Sequence, residues 1–300
     1  MKEIYFAAGC FWGAQHFFAG IDGVKEAVAG YANGRGQNPS YEQVYTDTTG
    51  FAETVRVQYN EKRISLEELT QLYFTIIDPL SLNRQGGDIG TRYRTGVYFT
   101  DPAQKPVIQA VFQAQEQRLG APLAVELEPL QNFYLAEERH QDYLDKNPDG
   151  YCHVPLKTFR YLRLYQDLKL ILEAEPDSIA RMANMAALIQ ERMHFFWTGF
   201  YRVLDQQLVL GPFQGPEACF RIGYGKGVCG TAWKEMRTVV VPDVEEFPGH
   251  IACSSLSRSE IVVPVIRDGA CIAVLDIDSK ELGTFDATDA LWLEIIIAIL

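Results

Sequence analysis

The sequence predicts an α+β protein of about two domains, and three observations carry that expectation. Three hundred residues are more than one hydrophobic core ordinarily organises. The first half alternates strand-like with helix-like segments. The second half opens on two helical patterns and then becomes a run of strands, which reads as an antiparallel sheet bracketed by helices.

In the first half, KEIYFAAG reads as a short strand, and AQHFFAGI has the apolar spacing of a helix. Gly9 and Gly13 are expected to bracket a tight strand-to-helix turn. Cys10 would then sit at a helix N-terminus, where the dipole and free N–H groups favour thiolate over thiol. A small apolar core residue is the competing reading of the same cysteine. TVRVQYN alternates with period two, and SLEELTQLYFTII is an amphipathic helix capped by Ser65 and stopped at Asp78-Pro79. RTGVYFT and LAVELEPL read as strands, with a helix over AQKPVIQAVFQAQEQRLG between them that ends on Gly120. YLAEERHQDYLDK is expected to be helical until NPDG breaks it. That places Cys152 just past a helix end, in a tail expected to be mobile. In the second half, helices are expected over 159–174 and 177–192, separated by Glu175-Pro176. The strands are then TGFYRVL, QLVLGP, ACFRIGY, TVVVPD, EIVVPVI and CIAVLDID. The predicted division is 1–155 and 165–300, joined by 156–164.

Composition narrows the function classes. A net charge of −12 argues against a nucleic-acid partner, which needs a clustered basic surface. The most basic stretch, LKTFRYLRLYQDLKL, reads as a solvated helix face. MKEIYFAAG has no long apolar core, so no signal peptide is expected. LWLEIIIAIL carries Glu294 and is too short to span a bilayer, so it reads as a terminal helix packed on a domain. Six cysteines without an export signal point to a reducing cytoplasm, and no C-x-x-C pair offers a zinc or thioredoxin-type motif. No metal or bound organic cofactor is expected.

Around Cys10 the first half gathers a nucleophile, an acid and phenols. TGFAETVRV places Glu53 at the start of a strand, SYEQV supplies Tyr41, and DIGTRYRTGVY supplies Asp88 and Tyr93. Such a set suits sulfoxide reduction: a thiolate attacks sulfur while the oxygen receives hydrogen bonds and a proton. Phe11 and Trp12 would wall the methyl group. GCFWG, the G-x-A-E segment, GT-x-YR and HQDYLDKNPDGYC together resemble the methionine sulfoxide reductase A family over residues 3 to about 153. The resemblance implies a ferredoxin-like α/β fold and selectivity for the S epimer of methionine sulfoxide, free or in proteins. It implies Cys10 as nucleophile, Glu53 as acid, Tyr41 and Tyr93 on the sulfoxide oxygen, and Asp88 in support. Phe51 departs from the family's usual histidine and is expected to tune rather than abolish activity. The first product is a sulfenic acid on Cys10. Cys152 matches the family's recycling cysteine, and the disulfide between them would be opened by thioredoxin. His153 beside it is not assigned as a base.

A second constellation follows in WTGFY, LGPFQG, GKGVCGTA, DVEEFPGHIAC, SEIVVPV and VLDIDS. GKGVCG lacks the spacing of a phosphate loop. HIAC places Cys253 on a loop, and alternation in VLDID points Asp276 and Asp278 to the same side of a strand. Two like-facing acids on an apolar sheet suggest a polar pocket. These segments resemble the free methionine-R-sulfoxide reductases, built on the GAF fold, from about 165 to 300. The resemblance implies Cys253 as nucleophile, Cys219 as its disulfide partner, and Cys229 as a third redox candidate. Trp197 and Tyr201 would form an aromatic cage, with Glu260, Asp276 and Asp278 binding and polarising the free amino acid in an enclosed cavity. Cys271 matches no functional cysteine and is expected to be packing. Ser254 replaces the family's usual aspartate, and the chain ends early in its last helix.

Together these resemblances imply a bifunctional, thioredoxin-dependent methionine sulfoxide reductase of the cytoplasm, acting on oxidised proteins and free methionine sulfoxide. The rival expectation is an N-terminal reductase regulated by a non-catalytic, ligand-sensing GAF domain.

Overall fold

Apolar alternation in the first half does produce a sheet, and its order places the N-terminal turn at the centre of that unit. The computed structural model describes residues 1–251 and 254–300, which form two units, Met1–Phe159 and Arg160–Leu300. Lys2–Ala8 (β1) leads through Gly9 and Cys10 into Phe11–Ala19 (α1), followed by Val24–Ala32 (β2) and the short helix Tyr41–Tyr45 (α2). Ala52–Tyr59 (β3), Leu66–Tyr73 (α3), the hairpin Arg84–Gln85 (β4) and Asp88–Ile89 (β5), and Thr95–Phe99 (β6) follow. Gln104–Leu119 (α4), Val125–Pro129 (β7), Phe133–Leu135 (β8) and Tyr143–Lys146 (α5) complete the unit. The sheet order is β7-β6-β1-β3-β2-β8. β1 pairs antiparallel with both β3 and β6, and β2 with β3. β1-α1-β2-β3-α3-β6 is therefore a split β-α-β repeat, the ferredoxin-like arrangement. Phe6, Phe17, Phe18, Val55, Val57, Leu69 and Val97 are fully buried in this unit. Ser65 caps α3 as expected, its hydroxyl accepting from Glu68 N–H at 3.0 Å. α4 ends on Gly120 in the left-handed region, φ 65°.

The expected helix over 134–146 does not form as one element. Tyr134 and Leu135 pair instead with Tyr31 and Gly30 of β2. Asp142 takes φ 51°, outside the helical region, so only a 3-10 turn at Glu138–His140 and the short α5 remain. Gln141, between them, binds Ala29 twice: its Oε1 accepts from Ala29 N–H at 2.9 Å and its Nε2 donates to Ala29 C=O at 2.8 Å. Edge-strand pairing and a side-chain clamp outweigh the local helical pattern.

Residues 156–164 belong to a continuous helix, Leu156–Leu172 (α6). The second unit continues with Ser178–Met193 (α7), Trp197–Leu204 (β9), Gln207–Gln214 (β10), Arg221–Gly223 (β11) and Gly227–Glu235 (α8). Val239–Val241 (β12), Ser259–Arg267 (β13), Ala270–Ser279 (β14) and Ala287–Ile297 (α9) complete it. The sheet order is β11-β10-β9-β14-β13-β12, with every neighbouring pair antiparallel. Strand pairing in ACFRIGY covers only Arg221–Gly223. α9 buries Trp292, Leu293 and Ile296, and Tyr161 of α6 donates to Asp289 at 2.9 Å. No helix among the described residues is long and apolar enough to cross a membrane.

Candidate active sites

The turn between β1 and α1 is the first site. Gly9 holds φ 78°, and a side chain there would meet Gln85 at 2.6 Å, so glycine is required for both backbone shape and space. Cys10 follows as the N-cap of α1 and is 6% exposed. Gly13 does not close the turn as the sequence suggested: it lies within α1. Its missing side chain makes room for Cys152, whose Sγ sits 2.7 Å from where a Cβ would be. The two thiols are thus held at successive levels of one helix, and both are free.

Glu53, at the start of β3, is 1% exposed, and its Oε2 accepts from the Phe11 N–H at 3.1 Å. The acid therefore caps the helix that presents the nucleophile. Burial raises its pKa to about 8 against the opposing pull of that N–H and of Arg92, so the carboxyl is neutral at pH 7. Burial, then the Glu53 charge, push the Cys10 thiol well above its ordinary value. This corrects the expected bias toward thiolate: the helix terminus is outweighed by burial, and at rest the site holds a thiol beside a neutral acid.

Tyr41 and Tyr93 join this centre. Burial, then Glu53, then Cys10 push Tyr41 up to about 12, and burial with Glu53 raises Tyr93. Both hydroxyls therefore keep their protons as donors. Asp88 stands on the Cys152 side, its Oδ2 accepting from Tyr151 at 3.0 Å, and its charge adds to the upward push on both Cys10 and Glu53. Burial raises Cys152 and lowers His153. Phe11 is buried and packs on Tyr31, with ring centroids 5.8 Å apart.

Trp12 forms a wall with two residues the sequence reading quoted but did not single out. Tyr143 stacks on it at 3.7 Å, and Trp12 Nε1–H donates to His140 Nδ1 at 3.2 Å. The Tyr41 ring lies 4.6 Å from His140. Arg92 and Asp47 were also missed, the first inside GTRYR, the second four residues before Phe51 and paired with the buried Arg92. Only three-dimensional placement reveals them. Phe51 is buried and faces Tyr134 edge-on.

The second site is a cavity of about 40 Å³ in the second unit, open to solvent at one side. Trp197, Tyr201, Cys229, Glu260, Asp276 and Asp278 all line it. Trp197 and Tyr201 stack at 6.0 Å between centroids. The period-two expectation for the acids holds on β14, and Glu260 lies opposite Asp278 on β13. Burial raises Glu260 and Asp276 far above the carboxylate range and lifts Asp278 to about 6. Cys229, in the first turn of α8, lies with its Sγ 4.0 Å from Glu260 Oε1, and burial raises it strongly. Ligand atoms of Cys229, Glu260 and Asp276 lie within 4.8 Å of one another, a spacing that could accept a metal ion. His250, another residue not singled out, faces Glu260 at 3.7 Å. Cys219 is disulfide-bonded. Cys253 lies outside the described residues. Cys271 is buried on β14 and donates to the Ala273 carbonyl, away from the cavity lining.

Two family models match successive stretches of the chain. Residues 2–168 match the family described as peptide methionine sulfoxide reductase, and residues 180–300 match the GAF domain family. The peptide methionine sulfoxide reductase MsrA of Clostridium acetobutylicum is 50% identical over 155 residues, covering 52% of this chain and 96% of that protein. The structure of Mxr1 from Saccharomyces cerevisiae in reduced form is 40% identical, covers 52% of this chain and 91% of that chain, and has a TM-score of 0.50. The structure of free methionine-R-sulfoxide reductase from Neisseria meningitidis in complex with its substrate is 52% identical. It covers 46% of this chain and 84% of that chain, with a TM-score of 0.46.

Proposed function

We propose two reductase activities for this chain, which belongs to the peptide methionine sulfoxide reductase family: the first unit reduces methionine-S-sulfoxide, free and in proteins, and the GAF unit reduces free methionine-R-sulfoxide. The observation that carries the first is the Glu53 carboxyl on the Phe11 N–H, which sets acid and nucleophile at one helix end.

In the first unit, Cys10 Sγ attacks the sulfoxide sulfur inside the wall of Phe11 and Trp12. Glu53, neutral at pH 7, protonates the oxygen as negative charge builds on it, and the Tyr41 and Tyr93 hydroxyls hold that oxygen. The proton released by the Cys10 thiol restores Glu53. The oxygen passes to Cys10 Sγ as the substrate S–O bond and the S–S bond formed on attack both break; methionine leaves, and Cys10 carries the oxygen as a sulfenic acid. Cys152 Sγ then bonds to Cys10 Sγ, expelling water and leaving a disulfide. Asp88, beside the Cys152 segment, supports this second step. Thioredoxin, a dithiol, takes up the disulfide by exchange, in a reducing cytoplasm where Cys10, Cys152, Cys229 and Cys271 stay free as they are here.

In the GAF unit Cys253 is the nucleophile and Cys219 its partner. Trp197 and Tyr201 receive the methyl-sulfoxide end, while Glu260, Asp276 and Asp278 bind and polarise the polar end. Cys229, buried in the same lining, is the third redox candidate. The test is turnover of each purified methionine sulfoxide epimer with thioredoxin. Binding of the R epimer without release of methionine would convert the GAF unit into a sensor and remove the second activity.

A further inference from the structure

Arg92 is not itself among the groups assigned to the sulfoxide, yet it packs on one of them, Tyr93, and is built closely into the first site. Its guanidinium carbon lies 4.3 Å from the ring centroids of both Tyr45 and Tyr93, so the cation is sandwiched between two aromatic faces. Asp47 accepts from the Arg92 backbone N–H at 2.9 Å and from its NH1, and NH1 also donates to the Tyr45 carbonyl at 3.2 Å. Arg92 Nε is buried with no hydrogen-bond partner among the described residues. Gly90, at φ 144°, leaves the space: a Cβ there would lie 2.5 Å from Asp47 Oδ2 and 2.8 Å from Arg92 NH1.

We propose that Arg92 is a positioning residue for sulfoxide reduction: sandwiched between Tyr45 and Tyr93 and held by Asp47, it fixes the Tyr93 ring and keeps one positive charge at the centre that holds the acid. The inference rests on the function assigned above to Cys10 and Glu53. Across the centre, Glu53 faces Cys10 at the start of α1, Tyr31 of β2, Tyr41 of α2, Asp47 after α2, Asp88 of β5 and Tyr93. Among these, Asp88 and Asp47 resist ionisation of Glu53 and Arg92 favours it. Glu53 must give up its proton as the S–O bond breaks. Arg92 stabilises the carboxylate then left behind, and no bond to Arg92 itself forms or breaks.

The experiment is the pH dependence of S-epimer reduction by the full chain carrying Arg92→Gln, Arg92→Lys, Asp47→Asn or Glu53→Gln. Wild-type activity is expected to fall above about pH 8, where Glu53 ionises. Arg92→Gln should move that limb up by about one pH unit, the effect of losing a nearby opposite charge, and lower kcat about tenfold with a smaller change in KM. Arg92→Lys should restore the limb but only part of kcat, because charge returns without the planar stack. Asp47→Asn should move the limb the opposite way. A purely structural role would lower kcat at every pH and leave the limb where it was. That result in a folded Arg92→Gln protein overturns the proposal. If Arg92→Gln does not fold, an unmoved limb in Asp47→Asn overturns it. Loss of the limb in Glu53→Gln confirms the acid assignment independently, and its persistence there refutes the function reading instead.

Discussion

Replacing Glu53 with Gln removes one dissociable proton while keeping the volume and hydrogen-bonding reach of the side chain, so its effects divide cleanly into chemistry and stability. On chemistry, the amide can still bond a neutral sulfoxide but cannot protonate its oxygen. General acid catalysis contributes about a hundredfold to ten-thousandfold, and kcat for the S epimer should fall by that much while KM moves little. On stability, the sign follows from the raised pKa. Below its usual value of 4.5 the carboxyl is neutral folded or unfolded; between 4.5 and about 8 only the unfolded chain releases the proton. Wild-type stability therefore drops across that window and levels off above it. At about 1.4 kcal/mol per pH unit, this single group withdraws on the order of 4 to 5 kcal/mol by pH 8. The Gln protein lacks that slope, so the difference between the two proteins in urea unfolding should grow steadily from pH 5 to pH 8. Stopped-flow release of methionine at several pH values checks the chemistry. A Gln protein within about threefold of wild type in rate, or a stability difference independent of pH, would refute the assignment of Glu53 as a buried neutral acid.

Cys10→Ser should abolish S-epimer turnover and leave R-epimer turnover intact in the same full chain, and loss of both in a folded variant would overturn the two-site reading. Cys152→Ser should release one methionine per chain and then stop, because attack needs only Cys10 while recycling needs the second thiol; a chain releasing none would place Cys152 in the chemical step. Gly13→Ala puts a methyl where the Cys152 Sγ now sits, so disulfide formation should slow by about tenfold or more with the single-turnover rate nearly unchanged. Rapid acid quench with thiol labelling separates the two rates. Cys253→Ser should keep binding of free methionine-R-sulfoxide by calorimetry and lose its reduction.

Much of the framework could be read from sequence because it depends on local period. The strands around Val55 and Val57, the Ser65 cap and the Gly120 stop each follow from a few neighbouring residues. The like-facing pair Asp276 and Asp278 follows from the strand repeat alone. What escaped reading depends on distant partners. Tyr134 and Leu135 carry a helical pattern but find Tyr31 and Gly30 on the edge of the sheet. Gly13 looks like a turn residue until Cys152, far along the chain, fills the space above it. Arg92 looks like a surface charge in GTRYR, since nothing local announces that Tyr45 closes over it. The resting state of Cys10 was misjudged for the same reason: the helix terminus is visible locally, but the desolvation that overrides it comes from the whole surrounding core.

The Gln141 clamp on Ala29 has a consequence for how the chain meets other chains. β8 pairs along the outer edge of β2 at Gly30, Tyr31 and Ala32. At the next residue, Ala29, the C=O still accepts from Ala136 N–H at 3.0 Å, but the N–H would otherwise stand open to any passing extended segment. Gln141 Oε1 takes that N–H, and its Nε2 adds a second donor to the C=O, imitating a residue of a neighbouring strand without being one. Such a safeguard suits a peptide methionine sulfoxide reductase, which meets polypeptide substrates without opening this edge of its sheet to them.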